Sequence, residues 1–305
     1  MSYHVVHILT HGCTIGRDRG MLVCRPHKDA EDAQERKRPM EDIRALVIAA
    51  RGVTLTSNAV AGILEQDGMI LHCDESYRPV GLTMPLPRII DTRAFMNQAA
   101  QPKRLNDRLW QKILLGKTAN QQAVLRQREL FSAHLERAMK IKQVDEGNCA
   151  KHYWQLYFPS IGWSGTKRDR KLNTPPNRML NYGYTVLSAL CHRSLIVHGL
   201  SPLLGVGHVP RYRSDSLVYD LMEPYRPFVD CMLAEFMQQA PEVTEAEWCK
   251  HIGRELRERR VERQPFSLKL LDAIDKSAST LADSYSHLTP EPLWLPSLSY
   301  TSSCC

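Results

Sequence analysis

Over roughly the first ninety residues the apolar positions come in short runs bounded by polar turns. Residues 4–9 and 21–25 are rich in strand-forming side chains, and 44–50 is an almost continuous apolar run. Residues 69–73 and 80–84 are two further runs of strand length. Arg17-Asp18-Arg19-Gly20 reads as a hairpin connection between the first two runs, and Asp74-Glu75-Ser76-Tyr77-Arg78-Pro79 as the turn joining the last two. Residues 54–66 place Val60, Ile63 and Leu64 on one side of a short helix. The highly charged stretch 28–38 reads as a surface loop.

From about Arg93 the spacing changes to three and four residues. Helices are expected over 105–115, 120–142, 147–158, 178–199, 217–239, 244–260 and 267–284. Thr244 and Glu247 have the spacing of a capping box at the start of the sixth. Loops fall at 159–176 and 199–214, rich in Gly, Pro, Ser or basic residues, and the Pro- and Ser-rich tail from Thr289 is expected to be mobile. The pattern implies an α+β multidomain chain: a small β-rich N-terminal domain over 1–92, then a larger all-α domain over 93–305.

Composition narrows the class. The chain has 305 residues, 43% hydrophobic and 24% charged, ordinary for a globular protein with a large core. No apolar run approaches the roughly 20 residues needed to span a bilayer, and the start lacks the pattern of a signal peptide, so a cytoplasmic location is expected. Nine cysteines are scattered without a C-x-x-C pair, which supports neither a zinc ribbon nor a redox motif. Most are expected to be small buried hydrophobes. The net charge of +7 favours an acidic partner, of which nucleic acid is the commonest.

Three stretches hold polar residues where a helical core would not spend them. In Val144-Asp145-Glu146-Gly147-Asn148-Cys149-Ala150-Lys151-His152-Tyr153-Trp154, Glu146 begins a helix and shares its face with Ala150 and Tyr153. It either points inward or is a first-turn acid stabilised by the helix dipole. In Leu203-Leu204-Gly205-Val206-Gly207-His208, two glycines let the backbone turn tightly before the imidazole, which is either a ligand or a satisfied polar group. In Ser216-Leu217-Val218-Tyr219-Asp220-Leu221-Met222-Glu223-Pro224-Tyr225-Arg226-Pro227-Phe228, Asp220 and Glu223 are neighbours on one flank. Pro224 and Pro227 suit an opening turn, so this segment reads as two short helices or one with an acidic start. Two or three carboxylates with one imidazole would make a site for Mg2+ or Mn2+. Lys167, Arg168, Arg170 and Lys171 crowd one loop, and Lys103, Arg104, Arg108 and Lys112 line a helix start. Such patches either track a phosphate backbone or form an ordinary solvated surface.

The order of these stretches, with Asn177-Arg178-Met179-Leu180-Asn181-Tyr182-Gly183-Tyr184 and Gly199-Leu200-Ser201-Pro202 between them, resembles the CRISPR-associated integrase family, Cas1. The resemblance spans nearly the whole chain, and Met-Glu-Pro-Tyr-Arg-Pro looks most like the family's type II branch. It implies that Glu146, His208 and Glu223 are metal ligands and that Asp220 assists beside them. Two departures are Asp145, before the first Glu, and the tail past Thr289, which has no counterpart in the family.

The resemblance further implies a DNA strand-transfer enzyme with endonuclease activity. Prespacer 3′-hydroxyls would attack phosphodiesters at the two ends of a CRISPR repeat beside its leader. The implied partners are double-stranded prespacer DNA, repeat and leader DNA, a second copy of the chain and the small protein Cas2. Two dimers of the chain would flank a Cas2 dimer, with a type II effector nuclease and an accessory adaptation protein as further partners. Two rivals stand beside it: a non-catalytic DNA-binding assembly subunit, and a metal-dependent nuclease of branched or single-stranded DNA.

Overall fold

The computed structural model describes residues 4–27, 34–74, 79–86, 91–165, 167–208, 215–239, 244–263 and 265–298. Ten strands and ten α-helices are found among them. In chain order these are β1 (His4–Ile8), β2 (Thr14–Asp18), β3 (Met21–Arg25), β4 (Arg36–Pro39), β5 (Ile43–Ile48), β6 (Thr54–Leu55), α1 (Ser57–Glu65), β7 (Met69–Cys73) and β8 (Pro79–Thr83). The helices α2 (Thr92–Ala99), α3 (Lys103–Arg126), α4 (Ala133–Lys140), α5 (Glu146–Ser160), α6 (Pro175–Val197), α7 (Ser216–Met222), α8 (Arg226–Gln239) and α9 (Glu245–Glu258) follow. A hairpin of β9 (Arg260–Arg263) and β10 (Phe266–Lys269) precedes α10 (Leu270–His287). A strand-rich start thus leads into a mostly helical remainder, as the spacing predicts.

The strands form two four-stranded sheets, ordered β1-β5-β7-β8 and β4-β3-β2-β6. β1, β5 and β7 run parallel, and β8 closes that sheet antiparallel. β5 is apolar on both faces because both are covered. Ile43, Leu46 and Ile48 join Ile15, Leu22, Ala59 and Ile63 in one core, whereas Ala45 and Val47 join the core of the helices. The Tyr182 hydroxyl meets His7 Nδ1 at 2.8 Å, further tying α6 to β1.

Several details differ from what the spacing predicts. Arg19-Gly20 turns β2 into β3; β1 lies in the other sheet, so the hairpin does not join the first and second apolar runs. Arg36–Pro39 is a strand paired with β3 rather than loop; residues 28–33 and the turn at 75–78 lie outside the described residues. The helices expected at 105–115 and 120–142 are mostly one, α3, followed by the separate α4. The β9–β10 hairpin breaks an otherwise helical region.

The largest correction concerns the tail. Through Leu298 it is docked, with Leu293, Leu295 and Leu298 buried. The Asn120 amide donates to the carbonyls of Pro224 (2.8 Å) and Pro296 (3.2 Å) and accepts the Leu298 N–H (2.9 Å). Ser277 and Arg263 hold the carbonyls of Trp294 and Leu295. The seven cysteines among the described residues are free, and five of them are buried. No helix among those residues is long and apolar enough to cross a membrane.

Candidate active site

Glu146 is the first residue of α5 because Asp145 caps the helix: its carboxylate accepts the Asn148 N–H at 3.0 Å. Glu223 opens a single 3-10 turn, Glu223–Tyr225, between α7 and α8. Pro224 and Pro227 stand in opening turns, where a missing N–H costs nothing, so the segment is two helices with a junction. That junction aims a carboxylate into the molecule: the Glu223 side chain is only 4% exposed, against 38% for Glu146.

The two acids meet at Lys117 of α3. Its ammonium lies 2.8 Å from Glu146 Oε1 and 2.6 Å from Glu223 Oε2, while Arg226 Nε holds Glu223 Oε1 at 2.8 Å. Burial works to raise the Glu223 pKa. The Arg226 guanidinium and the Lys117 ammonium outweigh it and hold the carboxyl at about 2. For Lys117 burial favours the neutral amine, yet the Glu223 and Glu146 carboxylates raise its pKa above the usual lysine value.

His208 follows Gly205 and Gly207, and both glycines are required by close approach. A Cβ on Gly207 would stand 2.1 Å from the Trp110 indole, and one on Gly205 would stand 2.5 Å from the His208 carbonyl oxygen. Asp220, fully buried, anchors this loop. Its carboxylate accepts the backbone N–H groups of Val206, Gly207 and His208 and lies 2.6 Å from His208 Nδ1. That bond puts the proton on Nδ1 and leaves Nε2 as the ring nitrogen able to bind a ligand. The Asp220 hydrogen bond raises the His208 pKa, with burial opposing it. Asp220 stands behind the imidazole, outside the lining of the cavity.

Glu146, His208 and Glu223, the three ligands that the resemblance implies, line one open cavity of about 330 Å³ with Lys117, Gln121, Trp154, Arg168, Arg170, Tyr184, Tyr219, Arg226 and Asp230. Sequence reasoning missed Lys117 and Asp230, and it gave Arg226 no task. Asp230 accepts hydrogen bonds from the Tyr153 and Tyr184 hydroxyls, and burial lifts its pKa to about 6. Of the four basic loop residues, Lys167, Arg170 and Lys171 are exposed. Arg168 is half-buried, donates to the side-chain carbonyls of Asn177 and Asn181, and lies over the Tyr184 ring. It is therefore part of the cavity wall as well as of the loop. Lys103 pairs with Asp107, Arg108 with Glu291, and Lys112 donates to the Pro290 carbonyl, so that helix start is largely occupied by local partners.

Among the described residues no three His, Cys, Asp or Glu side chains close around a point that could hold a metal ion. The donor set nevertheless fits a hard divalent cation. Two carboxylates from different helices already converge on one cation, Nζ of Lys117. Glu223 Oε2 is buried and is held by the Lys117 ammonium.

The chain matches the family model for CRISPR associated protein Cas1 over residues 6–246. It is a member of the Cas1 family. A relative from Neisseria meningitidis serogroup C, named CRISPR-associated endonuclease Cas1, is 30% identical over 85% of this chain and 86% of its own length. One from Pyrobaculum aerophilum, named CRISPR-associated endonuclease Cas1 2, is 25% identical over 76% of this chain and 82% of its own length. Among solved structures, a casposase bound to integration product superposes with a TM-score of 0.80 at 19% identity, covering 95% of this chain and 94% of that one. A Cas1 protein from Thermotoga maritima gives 0.72 at 17% identity, over 92% and 96%. A Cas6-RT-Cas1–Cas2 complex gives 0.71 at 16% identity, over 97% of this chain and 36% of that one. These similarities show that the fold is that of Cas1. The matched stretch contains Glu146, His208, Asp220 and Glu223; the β9–β10 hairpin, α10 and the docked tail lie beyond it.

Proposed function

We propose that this Cas1-family chain is a metal-dependent DNA endonuclease and integrase that joins prespacer 3′-hydroxyls to the ends of a CRISPR repeat. The observation that carries this reading is the meeting of Glu146 and Glu223 on one cation, in a cavity that His208 shares and that arginines surround. Relatives named endonucleases and a fold neighbour bound to an integration product support the same class.

Glu146, Glu223 and Nε2 of His208 would hold Mg2+ or Mn2+, which when bound supplies a Lewis acid for a phosphoryl oxygen and for the attacking hydroxyl. Asp220 is a positioning residue: it sets the imidazole tautomer and ties down the glycine loop. Arg170 and Arg168, at the mouth and wall of the cavity, would meet phosphate charge, bidentately where geometry allows. Arg226 is committed to Glu223 and keeps that carboxylate ionised. In the reaction the 3′-oxygen forms a new P–O bond as the repeat's own P–O3′ bond breaks. The attacking hydroxyl loses a proton and the departing 3′-oxygen gains one. One phosphodiester replaces another, so no external energy source is needed. The partners belong to the same proposal: a Cas2 dimer flanked by two dimers of this chain, with prespacer DNA across them and contacts made to backbone rather than bases.

The deciding experiment combines purified chain, Cas2, a 3′-hydroxyl duplex and a repeat-containing plasmid across a manganese titration. Parent protein should give strand-transfer product, and Glu223→Ala none, with DNA binding and Cas2 association retained. Equal product from both would refute the assignment of Glu223. A duplex ending in a 3′-deoxy nucleotide separates the rivals: cutting without joining identifies a nuclease. Absence of product from the parent under every metal condition would leave a DNA-binding subunit.

A further inference from the structure

Lys117 is nearly buried, 11% exposed, and its ammonium contacts the two carboxylates that the proposed function assigns to a divalent ion. The arrangement is closed as to charge. Glu146 and Glu223 contribute two negative charges, and Lys117 and Arg226 two positive ones. Arg226 Nε already occupies Glu223 Oε1, so Oε2 is the oxygen left for a metal, and it is the one that Lys117 holds. A divalent ion entering beside the ammonium would put four positive charges, those of the ion, Lys117 and Arg226, around the pair in a partly desolvated cavity, where their repulsion is weakly screened. Lysine has a long flexible stem, and the cavity of about 330 Å³ leaves room for its head to move. Gln121, one turn further along α3, lines that space and carries an amide oxygen.

We propose that the Lys117 ammonium is a placeholder for the divalent cation: it holds Glu146 and Glu223 together in the metal-free protein and leaves them when the ion enters. This rests on the metal-site reading above. Two consequences follow from the competition. The metal-free site stays folded, because its buried carboxylate never lacks a partner. Metal affinity is lower than the same donors would give alone, because binding must also displace the ammonium.

The test is a Mn2+ titration of metal-stripped, full-length protein by electron paramagnetic resonance, independent of catalysis. Glu146→Gln and Glu223→Gln should lose most Mn2+ binding, whereas Lys117→Met should tighten it by roughly tenfold, a modest value for relieving one close like charge. Parent-like Mn2+ affinity in both glutamine variants would overturn the metal site and this inference with it. Loss of binding in those variants, with Lys117→Met equal to or weaker than the parent, would overturn the placeholder alone. Amine-selective acylation read by mass spectrometry makes the same test without substitution, guarding against misfolding of the methionine variant. Lys117 of the parent should be protected without metal and labelled once Mn2+ is added; labelling unchanged by Mn2+ would also reject the inference.

Discussion

Asp220 governs the site from behind the cavity wall. Three backbone N–H groups and one imidazole nitrogen converge on its buried carboxylate, and hydrogen bonds to an ionised acceptor are roughly twice as strong as neutral ones. Asp220→Asn keeps the size but presents an amide nitrogen where only donors face it. The variant should unfold with a stability lower by about 1–3 kcal/mol, the range for leaving a buried donor unpaired. It should also bind Mn2+ roughly 10- to 100-fold more weakly, as when the support of a ligating histidine is lost. Denaturant titration and Mn2+ titration read the two effects separately, and parent-like metal affinity would show that Asp220 only stabilises the loop. At this scale the residue pattern raised Glu146, His208, Asp220 and Glu223 only as candidates, each with a structural alternative, and the family resemblance chose between them. Lys117 and Asp230 were not among the candidates. Their tasks come from the crossing of α3, α5 and α8, which no local spacing describes.

Among the elements, α3 does the most to connect the site with the rest of the fold. It buries Lys117, Thr118, Asn120, Gln121 and Gln122, a polar run that costs stability wherever one of its groups goes unpaired. Asn120 finds three, at Pro224, Pro296 and Leu298, and so fastens the docked tail to the residue directly after Glu223. Asn120→Ala would remove the side-chain partner of two carbonyls and one N–H. It should lower stability by about 2–4 kcal/mol. Because the junction at Glu223 loosens, it should also lower the strand-transfer rate more than it weakens DNA binding. Thermal melts and single-turnover integration would measure this, and an unchanged rate in a folded variant would detach the tail from the site. The tail was illegible because Pro and Ser dominate its composition, while its three buried leucines are too few to make a periodic pattern. The missed strands have similar reasons. β4 is Arg-Lys-Arg-Pro and is made a strand only by pairing with β3, and β2 has glycine at its centre. By contrast β3, β7 and the helices after Glu146 announce themselves, since one strong apolar face suffices to specify each.

For the whole molecule the question is how a net charge of +7 is used. Charge spread evenly would give weak, unfocused attraction, whereas here Lys167, Arg170 and Lys171 project from the loop whose Arg168 forms a wall of the cavity. Arg170 lines the cavity as well, so a DNA backbone drawn to this loop would be led toward Glu146 and Glu223. Neutralising Lys167, Arg170 and Lys171 together should therefore weaken duplex binding and flatten its salt dependence. Each phosphate left without its cation takes about 0.9 from the slope of log affinity against log salt, so the triple change should reduce it by roughly 3. Arg168 is best changed alone, because its bonds to Asn177 and Asn181 brace α6, and its removal would mix a packing defect with a charge effect. The measurement is a fluorescent-duplex titration at several salt concentrations, run on two unrelated sequences. Equal weakening on both is expected, since bonds to phosphate carry no sequence information. A slope identical to the parent's would remove the loop from the footprint. Weakening confined to one sequence would instead place these side chains against base edges, and the channel leading into the cavity would then be a reader of sequence rather than a guide.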